Sequence, residues 1–254
     1  MITWEQVSQR KLKSKEIIFL TTKGILILSV FWAALFYLLI FWELPFVKLT
    51  WFANGIQLLS ALVISVLGIF YARCSQERYM SLSIALGAFT WTLGQFYWFS
   101  YIYLQESLLP QPTIADFGFI STYFFLIGVI ITITNKIPRY LIDLSFKNLW
   151  PFAILAVPLY LALSKTDSLV VNIDNFAFAL AIVCALWKAQ PILSSPRYGV
   201  FLAGLSLLCI CDILYMVFAC CIPEAYTLAA DALYPLALSL IVYGFMKAEE
   251  MTDV

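Results

Sequence analysis

Histidine is absent from all 254 residues, and only 12% of them are charged, against about 25% in soluble domains. Without imidazole the chain lacks the commonest general base and metal ligand. Its six cysteines do not fill that gap. Cys209 and Cys211 point to different helix faces, Cys220 and Cys221 are adjacent without CxxC spacing, and most of the six lie within apolar runs. They read as small membrane-core residues rather than as a zinc or haem site, and no cofactor is expected. No P-loop, glycine fingerprint or extended basic face is present, so nucleotide and nucleic-acid binding have no support. No Ser or Cys nucleophile stands beside a base, which places a membrane enzyme last among the functional readings.

What the chain has in excess is hydrocarbon: 63% of its residues are hydrophobic and 17% aromatic. Several apolar runs approach or exceed the roughly 20 residues that cross a bilayer. The pattern predicts an all-α membrane protein with spans at 24–42, 52–71, 80–104, 114–134, 149–164, 169–188, 198–221 and 225–246. The fifth is short and carries Pro151 and Pro158, each expected to kink it by removing a backbone donor; seven spans is the alternative count.

Charge tests the count independently. With eight spans and the N-terminus inside, one side holds Arg10, Lys11, Lys13, Lys15, Lys23, Arg73, Arg78, Lys136, Arg139, Lys147, Lys188, Arg197 and Lys247. The other holds only Lys48 and Lys165. Thirteen against two is a strong positive-inside bias, so both termini are expected in the cytoplasm. The apolar run after the basic start is too long for a cleaved signal and has no small-residue cleavage site. Arg10, Lys11, Lys13 and Lys15 read as an amphipathic stub on the anionic inner leaflet, or simply as a topology determinant.

Comparison of the polar residues exposes a repeat. Asn54 and Asn172 are 118 positions apart, Lys48 and Lys165 117, Gln95 and Asp212 117, and Asp116 and Asp231 115. The near-constant offset implies two four-helix halves, and because four is even they are parallel copies. The expected organisation is a cytoplasmic stub (1–22), a first repeat (23–134), a cytoplasmic loop (135–148), a second repeat (149–247) and a short cytoplasmic tail (248–254).

Within each half a polar residue is followed three positions later by an aromatic: Gln95/Trp98, Asp116/Phe119, Asp212/Tyr215 and Asp231/Tyr234. That spacing puts each pair on one helix face, where a hydroxyl or indole N–H can serve the acid. Asp212 lies about 15 Å and Asp231 about 9 Å from the outer ends of their spans at the helical rise. Ionised acids at such depth are costly and face the bundle interior or a wet cavity. The outer half holds Glu43, Glu106, Asp116, Asp167, Asp174, Asp212, Glu224 and Asp231, with only Lys48 and Lys165 to neutralise them. Some of these acids must therefore be protonated, hold a cation or line water; the alternative use of Asp212 and Asp231 is to hydrogen-bond neighbouring helices. Trp91, Gln95 and Trp98 share a face that is placed to line a pocket, although core packing is the commoner use of such a face. Gly87 and Gly94 on that helix would let another helix approach closely.

The run LGQFYWFSYIYLQESLLPQPTIADFGFISTYFFLIGVI (93–130) resembles the multi-pass membrane sensor region found upstream of bacterial GGDEF diguanylate cyclases and some histidine kinases. The matching positions are Gly94, Trp98, Pro110, Pro112, Ala115, Asp116, Phe119, Tyr123 and Gly128. The stretch CDILYMVFACCIPEAYTLAADALYPLALSLIVYG is similar to that region's weaker second copy. The resemblance implies an integral-membrane input module of the bacterial inner membrane. No GGDEF-like or kinase segment accompanies it here, so the chain is expected to act through a partner protein or to be a sensor taken from a longer one, with KAEEMTDV starting a signalling helix. The leading expectation is a non-enzymatic sensor or scaffold, with a pocket for a lipid, small hydrophobic molecule or cation. Trp91, Gln95, Trp98, Asp116, Asp212, Tyr215, Asp231 and Tyr234 are the candidate ligand-binding residues. The alternative is a proton- or cation-coupled transporter using Asp212 and Asp231.

Overall fold

A backbone in hydrocarbon must bond to itself, and the apolar runs of this chain do so as helices. The computed structural model describes residues 4–42, 46–104, 113–136, 150–164, 168–221 and 230–251. Glu43, Glu106, Pro110, Pro112, Lys165, Asp167, Glu224, most of the 135–148 loop and the end of the tail lie outside them. Among the described residues there are eight α-helices and no strand: α1 (Trp4–Phe41), α2 (Phe46–Ala72), α3 (Arg78–Leu104), α4 (Ile114–Lys136), α5 (Trp150–Ser164), α6 (Leu169–Ala189), α7 (Gly199–Cys221) and α8 (Tyr234–Glu250). Two 3-10 turns, Gln190–Ile192 and Pro196–Tyr198, join α6 to α7.

Five stretches are long and apolar enough to cross a membrane: Gln9–Phe41, Leu49–Ala72, Ile114–Lys136, Leu169–Ile192 and Pro196–Met216. α3 is outside that group although it has 27 residues, because Thr90, Thr92, Gln95, Ser100 and its many Trp and Tyr rings lower its hydropathy. α5 and α8 are shorter, at 15 and 17 residues. α5 runs through Pro158 without interruption. The basic stub and the first span form one helix of 38 residues, about 57 Å long, and no break separates them.

The helices pack in a specific order. α3 lies against α2 and α4, α7 against α8, α4 against α6, and α5 against α6 and α7, while α8 also touches α1, α2 and α3. α8 is the central strut: 12 of its 17 residues are buried, including Glu249 at its C-terminal end. α1 instead leaves Ile27, Leu28, Val30 and Phe31 exposed, as a helix facing lipid does.

Glycines set the tightest approaches. A Cβ on Gly118 of α4 would lie 2.8 Å from Gly94 Cα of α3, and one on Gly204 of α7 would lie 2.6 Å from the Ile241 nitrogen of α8. Side chains there would force the axes apart. Gly87 faces the Thr122 carbonyl and Phe125 Cβ, whereas Gly204 faces the Ala237 carbonyl and Leu240 Cβ. These contacts join positions 117 apart on α3 and α7 to positions 115 apart on α4 and α8.

Candidate functional site

Asp212 sits on α7, 6% exposed, where α4, α7 and α8 meet. The Tyr123 hydroxyl of α4 donates to its Oδ2, and the Tyr234 hydroxyl of α8 donates to Oδ1 at 2.7 Å. Both carboxylate oxygens are thus served by phenols from other helices. Tyr123 is fully buried and Tyr234 nearly so. Among the described residues Asp212 makes no ion pair.

Trp91 extends this centre to α3. Its ring packs on Phe119 at 4.7 Å and on Tyr234 at 4.8 Å, both tilted. Its indole nitrogen is buried and has no hydrogen-bond partner among the described residues. One turn further along α3, Gln95 Nε2 donates to Asn54 Oδ1 of α2 at 2.7 Å. Gln95 and Asn54 are 3% and 2% exposed, so this amide pair joins α2 to α3 within the interior.

Asp116 has a local duty. Its Oδ2 accepts from the Thr113 N–H at 2.6 Å and the Thr113 hydroxyl at 3.0 Å. An acid in the first helical turn reaching back to the residue before the helix answers exposed donors and the positive end of the dipole. Lys136 in the last turn of α4 complements the opposite end.

The predicted same-face pairs do not close on themselves. Tyr234 bonds Asp212 rather than Asp231, and Tyr215 is partly exposed. Asp231 precedes α8 and is half-buried, as is Trp98 on α3. Tyr215 is coupled electrostatically to Asp116, Asp212 and Asp231, and Asp174 of α6 to Asp116. Among the described residues no group of three or more Cys, Asp or Glu side chains is arranged to hold a metal ion. Cys74, Cys184, Cys209 and Cys211 are free thiols.

Neither of two cavities on these helices is lined by Asp212, Tyr123 or Tyr234. A groove of about 400 Å³ lies between α1 and α2 with Pro235 at its edge. A pocket the size of one water, about 10 Å³, lies among α2, α3 and α8 beside Ser81. The carboxylate and two phenols are buried, and their hydrogen bonds tie α4, α7 and α8 together.

Sequence reasoning did not include Tyr123 in the site. Its signal was its position seven residues after Asp116, on the face that also carries Phe119. It also left out Glu249 of α8, 2% exposed, which reaches Lys15 of α1 and the turn after α2. The chain matches no family model, and no curated protein and no solved structure is significantly similar to it.

Proposed function

We propose that the chain is a non-enzymatic integral-membrane sensor or scaffold module that acts through a partner protein. In this reading all eight helices cross or line a bacterial inner membrane, both termini are cytoplasmic, and α1–α4 and α5–α8 are parallel copies. The resemblance of residues 93–130 to the sensor region upstream of GGDEF cyclases supports it. So does the recurrence of the same helix contact at Gly87, where it is an ordinary van der Waals approach, and at Gly204, where it is tighter, at the offsets that relate Gln95 to Asp212 and Asp116 to Asp231.

The observation that carries the proposal is the use made of the buried polar groups. Asp212 and Gln95 occupy equivalent places, and each bonds side chains of other helices: Asp212 to Tyr123 and Tyr234, Gln95 to Asn54. Asp212 belongs to the second half and Tyr123 to the first. A change in either half is thereby felt in the other, as a module that passes on a conformational change requires. The outer acids around Tyr215 are the candidate entrance for a lipid, small hydrophobic molecule or cation.

Purification in mild detergent, with mass spectrometry of co-purifying proteins and lipids, tests this reading. The expected result is a stoichiometric protein partner whose recovery falls in the Asp212→Asn, Asp231→Asn double variant. Recovery of a solitary chain that catalyses cation or proton flux in liposomes, with flux lost in Asp212→Asn, would replace the proposal with a carrier.

A further inference from the structure

We propose that Glu249 is a latch that fastens the inner end of α8 to the α2–α3 turn and to α1, and that α8 couples this latch to Asp212. The role in signalling rests on the sensor reading above, but the latch itself does not. Glu249 lies in the last turn of α8 and is 2% exposed. Its Oε2 accepts from the Ser75 hydroxyl at 2.7 Å and its Oε1 from the Gln76 N–H at 2.8 Å. Lys15 of α1 places its ammonium 3.3 Å from Oε1 and lies 5.9 Å from the Tyr71 ring centroid. The Ser81 hydroxyl of α3 donates to Ser75 at 2.7 Å, so the carboxylate organises the turn ahead of α3.

This placement is expensive unless it is answered. The C-terminal end of a helix disfavours negative charge, and a dry carboxylate needs donors and a counter-charge. Glu249 has them from two other elements at once, namely α1 and the α2–α3 turn. The next backbone group is held as well: Arg197, just before α7, donates from Nε to the Ala248 carbonyl at 2.5 Å. One side chain thus gathers the inner ends of α1, α2, α3 and α8, and its withdrawal frees them together.

α8 connects this end to the outer centre. Tyr234 at its start bonds Asp212, and Ser239 at its middle bonds Ser29 of α1 at 3.0 Å. Its 17 residues form a rod about 25 Å long, packed against α7 through Gly204. A displacement at Asp212 therefore reaches Glu249 through a rigid element with a breakable contact at each end.

The native thiol of Cys74, half-buried in the latched turn, reports the latch directly. The full chain in membrane vesicles is treated with a maleimide, and labelling at Cys74 is timed by peptide mass spectrometry. Glu249→Ala is expected to raise the rate at least about fivefold, Lys15→Met by less, and Arg10→Met not at all, because local opening sets thiol access. If Glu249→Ala does not fold, the isosteric Glu249→Gln decides, with a rise of about twofold or more expected. Tyr234→Phe, which cuts the far contact of α8, is expected to raise the same rate. Unchanged labelling in the folded Glu249 variants would overturn the latch. A rise in those variants with none in Tyr234→Phe would overturn the coupling through α8. The assay needs neither ligand nor partner, so failure of the sensor reading leaves its outcome unaffected.

Discussion

Tyr234→Phe removes one hydroxyl from the Asp212 centre and leaves the ring in place against Trp91. The lost bond is buried, at 2.7 Å from Oδ1, and Phe restores no donor to that oxygen. Hydrogen bonds between membrane helices average about 0.6 kcal/mol and reach about 1.7. A carboxylate that is 6% exposed and loses one of its two donors belongs near the upper end, at about 1.5 kcal/mol. That is roughly a tenfold change in the folded-to-unfolded ratio. Tyr123→Phe should cost a similar amount. Asp212→Asn keeps one acceptor and supplies an N–H that a phenol oxygen can accept, so it should cost less than about 1 kcal/mol. Asp212→Val orphans two buried hydroxyls and should cost about 3 kcal/mol. In that background Tyr234→Phe should no longer destabilise and should recover part of that cost, because it removes one of the two orphaned hydroxyls. Denaturation in mixed micelles, followed by tryptophan fluorescence, measures all of these. Tyr→Phe effects below about 0.3 kcal/mol, or an undiminished effect of Tyr234→Phe in the Asp212→Val background, would refute the assignment of Asp212 as the tie between α4, α7 and α8.

Three further outcomes are expected from thermal unfolding in detergent. Gly204→Ala puts a methyl 2.6 Å from the Ile241 nitrogen and 2.9 Å from the Ala237 carbonyl, which should cost about 1–3 kcal/mol by overpacking. Gly128→Ala, with nothing within 4 Å, should instead stabilise α4 by about 0.5–1 kcal/mol; equal effects at the two sites would refute the close approach of α7 and α8. Lys136→Met removes the pair with Glu77, which is 48% and 37% exposed on its two sides, and should change stability by less than about 0.5 kcal/mol. A loss above about 1 kcal/mol would show that this pair, rather than Glu249, holds the α2–α3 turn.

The helices were legible because their cause is local. Apolar runs of the right length mark α2, α4, α6 and α7 without reference to any neighbour, and the step from Thr113 to Asp116 marks the start of α4. Gly87 and Gly94 announced a close helix contact for the same reason, since a missing side chain is visible in the residue itself. The partners of the buried polar groups were less legible. Gln95, Asp212 and Tyr234 stood out as polar groups in apolar surroundings, but the spacing of three that paired Asp212 with Tyr215 describes only one helix. Asp212 turned instead to α4 and α8.

The contact between Lys15 and Glu249 was the least legible of all. Lys15 belonged to a basic run that fits an anionic leaflet, and Glu249 to a charged tail that fits water. Taken alone, neither residue carries a sign of burial. Composition and hydrophobic run length determined that this is a helical, apolar chain with a few costly polar groups, because helix formation and membrane partition depend on residues close in sequence. Only the tertiary structure decided which of those groups meet. Hydrogen bonds and ion pairs form between atoms about 3 Å apart, and Tyr123 with Asp212, or Lys15 with Glu249, reach that distance through packing that no periodicity in the chain encodes.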